Sequence, residues 1–149
     1  MPTVFTRIID GELPGRFVWA DDTCVAFLTA NPLTDGHTLV VSRDEIEQWT
    51  DTEPQLMSRM SEVARLIGRA QQTEWESPRV GLLAQGFEVP HVHLHVWPAF
   101  SGADFDLRNA QKNPDPSTMD AAADRIRTRL REQLADTPEV ENIPADPVA

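Results

Sequence analysis

His91, His93 and His95 alternate with Val92, Leu94 and Val96, so three of the chain's four histidines occupy every second position of one short run. On an extended strand this period of two puts the three imidazoles on one face and the three aliphatic side chains on the other. One face is then core, and the other is free for chemistry. Same-face neighbours on a strand lie roughly 6 to 7 Å apart, so adjacent imidazoles can flank a group the size of a phosphate. Because imidazole titrates at about pH 6.5, a neutral nucleophilic ring and a protonated neighbour can coexist near neutrality.

Such a row reads in three ways. As a polar strand face without a role, strict alternation on a β-branched background is poorly explained. As a metal site, His91 with His93, or His93 with His95, forms a chelating pair that needs further ligands, for which His37 and Glu88 are the evident choices. As a covalent catalyst at phosphorus, one imidazole attacks while its neighbours orient it or contact phosphate and leaving-group oxygens.

Positioning these residues falls to a small set of elements. Val4 to Asp10 carries Phe5, Ile8 and Ile9 at helical spacing and stops at Gly11, which predicts a short helix. Phe17–Trp19 and Cys24–Leu28 flank an Asp21-Asp22 turn and predict a hairpin. After Asp35-Gly36, the run His37–Val41 suits a buried central strand. A long helix follows, with Asp51 or Thr52 as its expected cap and Pro54 in its first turn. Its apolar stripe is Leu56, Met60, Val63, Ala64 and Ile67. Val80–Ala84 and Val89–Ala99 read as two more strands. Asn113-Pro114-Asp115-Pro116 then links to a charged helix from Met119 to about Ala135. Thr137 to Ala149 holds prolines and acids and is expected to be loose unless docked. Arg125, Arg127, Arg129 and Arg131 spread over several faces of the charged helix rather than forming one basic patch.

Composition narrows the function. At 149 residues the chain has the length of one domain. Thirteen basic against twenty-four acidic residues leave a net charge of −11, and Lys112 is the sole lysine. That argues against binding a nucleic acid polymer or an anionic membrane, both of which need clustered cations. Cys24 is alone and closes no disulfide or CxxC knuckle, which suits a reducing compartment. The opening residues lack the layout of a secretory signal, and no run is long and apolar enough to span a bilayer, so a soluble cytoplasmic protein is expected.

The run His91-Val92-His93-Leu94-His95-Val96-Trp97 fits a His-φ-His-φ-His-φ-φ pattern and resembles the histidine triad (HIT) superfamily of nucleotidyl hydrolases and transferases. The likeness extends from Val4 to Phe100 through the opening helix Phe5–Pro14, the strand Cys24–Leu28 and the strand Gly36–Val41 with its histidine. It implies an α+β fold with a five-stranded antiparallel sheet, one long and one short helix, and a C-terminal helical extension. Residues 4–108 would form the HIT domain, and 109–149 a linker, a helix and a loose acidic tail. Two protomers would pair into a homodimer with a ten-stranded sheet. The resemblance further implies that His93 attacks the α-phosphorus of a nucleoside 5′-phosphate derivative and that water hydrolyses the nucleotidyl-histidine. His91 and His37 would orient the nucleophile, and His95 would contact the phosphate or leaving group. Phe5, Ile8 and Phe27 match positions lining the base and sugar pocket of an AMP-like purine nucleotide. No cofactor and no metal are expected.

Several positions depart from the family's pattern. The Cys-x-x-Cys that supplies half of a structural zinc site in some members corresponds to Thr3 and Thr6, and Thr29 stands where a carboxylate commonly holds the ribose. Val80 stands where an Asn is often found. The usual Gly-Gln-Ser/Thr-Val is Gly86-Phe87-Glu88-Val89, placing an aromatic and a carboxylate beside the reacting group. A buried Glu88 with a raised pKa could protonate an amine leaving group. The resulting expectation is a hydrolase of nucleoside 5′-phosphoramidates or related adenylates. A dinucleoside polyphosphate hydrolase and a nucleotide-binding regulator without turnover are the alternatives.

Overall fold

Cys24–Leu28 sends alternate side chains into two separate cores, and this alternation organises the sheet. Cys24, Ala26 and Leu28 face one cluster, whereas Val25 and Phe27 face another. The computed structural model describes residues 1–145. In it five strands are ordered β1-β2-β3-β5-β4, with β1 Phe17–Ala20, β2 Cys24–Leu28, β3 Thr38–Ser42, β4 Arg79–Leu83 and β5 His93–Ala99. Every pairing is antiparallel. With helices α1 Val4–Ile9, α2 Pro54–Trp75 and α3 Pro116–Gln133, the fold is α+β.

The β3–β5 register sets Val41 opposite His93 and Leu39 opposite His95, with Val40 opposite Leu94 between them. Leu39 and Val41 therefore share the histidine face, while Val40 and Leu94 join the helical core. That core is filled from α2 by Met60, Val63 and Ile67 and from α3 by Met119, Ala123, Ile126 and Leu130. Complete burial of each large aliphatic side chain contributes about 1.5 to 3 kcal/mol. On the histidine face, α1 lays Phe5 against Phe27, with ring centroids 5.6 Å apart. Gly81 lies opposite Trp97, where a Cβ would come within 2.3 Å of the indole. Only a residue without a side chain lets that ring lie flat against β4.

Several boundaries differ from the sequence expectation. β5 begins at His93 rather than Val89: Pro90 has no N–H to donate, and the His91 amide turns back to Val89 O over 2.8 Å. The cap of α2 is neither Asp51, which ends a single 3-10 turn, nor Thr52, but Glu53, whose side chain makes no capping bond. α3 starts at Pro116, earlier than Met119, because the Asp115 carboxylate accepts from Ser117 N over 2.9 Å. The segment after Thr137 is docked over most of its described length. Pro138–Asn142 forms a 3-10 helix, Glu139 pairs with Arg59 at 2.9 Å, and Ile143 is buried. Residues 146–149, the end of the expected loose tail, lie outside the described residues. The arginines of α3 are structural: Arg127 donates to Phe17 O, and Arg125 and Arg129 pair with Glu74. Among the described residues no helix is long and apolar enough to cross a membrane.

Candidate active site

His93 and His95 on β5, with His37 just before β3 and His91 just before β5, bring the four histidines together on one face of the sheet, and their hydrogen bonds fix their tautomers. His93 Nδ1 is 2.6 Å from the carbonyl oxygen of His91. A carbonyl only accepts, so Nδ1 carries the proton and Nε2 keeps its lone pair. The Leu33 amide donates to His37 Nδ1 over 3.0 Å, which leaves the His37 proton on Nε2. That proton is given to His95 Nδ1 at 2.9 Å, so the hydrogen of a neutral His95 resides on Nε2. Adjacent rings, 5.0 Å apart between centroids, thus present one lone pair and one N–H donor.

Burial keeps this pair uncharged. Desolvation holds His93 below the usual imidazole range, against the opposing pull of the His91 carbonyl bond and the Glu88 carboxylate. His95 is lowered to about 4 by burial and by the neighbouring His93, and His37 to about 3 by burial and by His95. The protonated neighbour expected beside the nucleophile is therefore not the state of the free protein. His95 faces the cavity as a neutral donor.

A cavity of about 290 Å³ opens over His93 and His95. It is lined by Phe5 and Ile8 from α1, Phe27 and Thr29 at the end of β2, and Phe87 and Glu88 from the loop before β5. Of the expected site residues, His37 and His91 alone do not line it; both are buried behind. The His91 carbonyl holds the His93 ring, while the His91 ring is occupied elsewhere. Its Nε2 donates to Ser42 O over 2.7 Å, and its Nδ1 accepts from Thr3 Oγ1 over 2.7 Å. Phe5 packs edge-on against His93 with centroids 4.8 Å apart, which helps to dry the reacting end. Glu88 is exposed, so the burial behind its expected proton-donor role is not present.

Sequence reasoning did not identify Thr3 as the partner of His91, nor Leu33 and Ser42 as the groups that set the tautomers. Leu33 and Ser42 act through backbone atoms, which leave no mark on residue type. Arg16 and Asn31 also line the cavity. Arg16 is the sole cationic residue among the described lining residues, and its Nε is held by Asp120 at 2.7 Å.

The chelation reading fits less well. Among the described residues no three His, Cys, Asp or Glu side chains converge on one point. Where the family's zinc cysteines would lie, the Thr3 and Thr6 hydroxyls are engaged with His91 Nδ1 and with Glu45. Two hydroxyls and a solvent-exposed carboxylate are a poor set for zinc, whose structural sites favour thiolate and imidazole.

Known proteins resemble the chain over most of its length. The sequence model described as HIT domain matches residues 10–102. An uncharacterized HIT-like protein of Mycobacterium tuberculosis is 33% identical over 143 residues, covering 91% of this chain and 94% of that protein. The adenylylsulfatase HINT3 of Arabidopsis thaliana is 32% identical over 100 residues, covering 64% of this chain and 51% of that protein. Among solved structures, a zinc-bound histidine triad family protein from Mycobacterium smegmatis superposes with a TM-score of 0.75 at 26% identity, covering 87% of this chain and 94% of that one.

Proposed function

The chain belongs to the histidine triad (HIT) family, and from that premise we propose that it hydrolyses nucleoside 5′-phosphoramidates or related adenylates at the α-phosphate through a nucleotidyl-His93 intermediate. The observation that carries this reading is the fixed tautomer of His93, whose Nδ1 is held by the His91 carbonyl at 2.6 Å while Nε2 keeps its lone pair. The activity named for the Arabidopsis relative, an adenylylsulfatase, also acts at an adenylyl group and supports the substrate class.

In this reading Phe5, Ile8 and Phe27 enclose the base and sugar of an AMP-like nucleotide, and Thr29 bonds a ribose hydroxyl. His93 Nε2 attacks the α-phosphorus, the bond to the leaving group breaks, and that group departs with its electron pair. His95 Nε2–H donates to the phosphate or to the leaving atom. A departing amine takes up one proton from solvent at the open mouth. Water then attacks the nucleotidyl-histidine, gives up a proton to solvent and frees His93 with its lone pair. No step draws on a metal or cofactor.

The active form is a homodimer. β4 ends the sheet and pairs only with β5, while the Arg127 guanidinium covers the β1 edge at Phe17 O. Beside β4, Leu82 is 60% exposed and faces a groove with Ala64 and Gly68 of α2. An uncovered edge strand flanked by apolar surface favours pairing with a second copy. The buried free thiol of Cys24 suits the cytoplasm. Steady-state release of AMP from adenosine 5′-phosphoramidate tests the activity. The protein should turn the substrate over and His93→Ala should not; equal rates would refute the assignment.

A further inference from the structure

Phe87 exposes 91% of its surface, more than any large apolar side chain except Met1. The turn that presents it bends at Gly86, whose φ of +80° lies in the region that favours glycine. Leaving a phenyl ring in water forgoes the gain from burying it, and an isolated exposed aromatic at a cavity mouth is best explained by what it meets there. Gln85 to Val89 line the same cavity as His93 and His95. An in-line displacement by His93 Nε2 sends the leaving group to the side of phosphorus opposite that nitrogen, and so out into the cavity that this loop helps to line.

The two charged side chains of the lining differ in what holds them. Glu88 is exposed, and no hydrogen bond or ion pair engages its carboxylate among the described residues. Arg16 is the lining cation, and its guanidinium is already tied to Asp120 and to Pro116 O. A leaving group that carries negative charge therefore departs into a like charge without a cation to receive it. A cationic or neutral one does not.

Resting on the reading above, we propose that Phe87 and Glu88 form a leaving-group subsite that selects substrates whose leaving group is an aromatic or apolar amine and works against anionic leaving groups such as sulfate. Phe87 offers its ring face to the apolar body of the amine. Glu88 draws the ammonium that forms on departure and repels phosphate or sulfate. The subsite thus divides two substrate classes that the histidines alone treat alike.

The test compares kcat/KM for three adenylates: the phosphoramidate of 2-phenylethylamine, unsubstituted adenosine 5′-phosphoramidate, and adenosine 5′-phosphosulfate. The phenylethyl substrate should exceed the unsubstituted one by roughly threefold to tenfold, mainly through KM, as one added aromatic contact supplies. Phe87→Ala should erase that difference by lowering kcat/KM for the phenylethyl substrate more than for the unsubstituted one. Glu88→Gln should raise kcat/KM for the phosphosulfate by about threefold, as expected for an exposed charge contact, while lowering it for the phenylethyl substrate. If Phe87→Ala changes all three alike, or Glu88→Gln moves amine and sulfate substrates in the same direction, the subsite is refuted while the hydrolase reading stands. If none of the three releases AMP, both fail.

Discussion

His37 Nε2 and His95 Nδ1 lie 2.9 Å apart, and the proton between them belongs to His37 because the Leu33 amide already occupies His37 Nδ1. A backbone N–H four residues upstream therefore decides which nitrogen of His95 faces the cavity with a hydrogen. The nucleophile is set in the same manner, by the carbonyl of His91 rather than by its ring. Backbone atoms thus assign complementary tautomers to two neighbouring imidazoles on one strand.

In the proposed reaction His37 positions His95, so His37→Phe should lower kcat by about 10- to 100-fold, the scale of losing the orientation of one reacting group. AMP affinity should change little, because His37 is buried behind the cavity. Kinetics paired with calorimetric AMP titration separates these effects. An unchanged kcat would remove the relay from the account.

Acidification should weaken folding through the same rings. Burial and His93 bring His95 from 6.5 to about 4, and burial and His95 bring His37 from 6.5 to about 3. Below pH 6.5 the unfolded chain binds protons at these rings that the folded chain refuses, so their contribution is complete above that pH and is lost as it falls toward 4 and 3. Tm should drop between pH 6.5 and 4, and less steeply in His37→Phe. Parallel curves for the two proteins would contradict this.

Thr29 lines the cavity, and in the proposed reading it offers the ribose a neutral contact. Thr29→Asp should tighten AMP binding by roughly tenfold, since a hydrogen bond to a charged acceptor is worth about 1.5 to 3 kcal/mol against about 1 for a neutral one. The gain should vanish with 2′,3′-dideoxy-AMP. A gain that survives removal of both hydroxyls would mean that Thr29 does not face the ribose.

Pairing through β4 predicts that Leu82→Glu shifts the protein to monomer in light scattering while costing the single folded chain no more than about 0.5 kcal/mol, because the side chain is exposed within it. A wild-type protein that is monomeric at high concentration would dispose of the dimer.

Much of the sheet could be read from residue order alone, because alternation along Cys24–Leu28 and His91–Val96 allows few other arrangements. The wiring of the site could not. His91 lies outside β5, since Pro90 breaks the ladder, yet its ring is fixed by Thr3, 88 residues away in sequence. Leu33 N, Ser42 O and His91 O do their work as backbone atoms, so any residue type at those positions would read the same. Burial of His95 and His37, which removes the expected imidazolium, depends on Trp97 beside His37 and Leu39 opposite His95, strands brought together only by the completed fold.

The central claim is that His93 becomes covalently nucleotidylated. Intact-mass spectrometry after brief mixing with adenosine 5′-phosphoramidate, with and without EDTA, tests it most directly. The account predicts an adduct of one AMP that maps to His93, persists with chelator and is missing in His93→Ala. An adduct on another residue, loss of the adduct with EDTA, or AMP released at an unchanged rate by His93→Ala would contradict it.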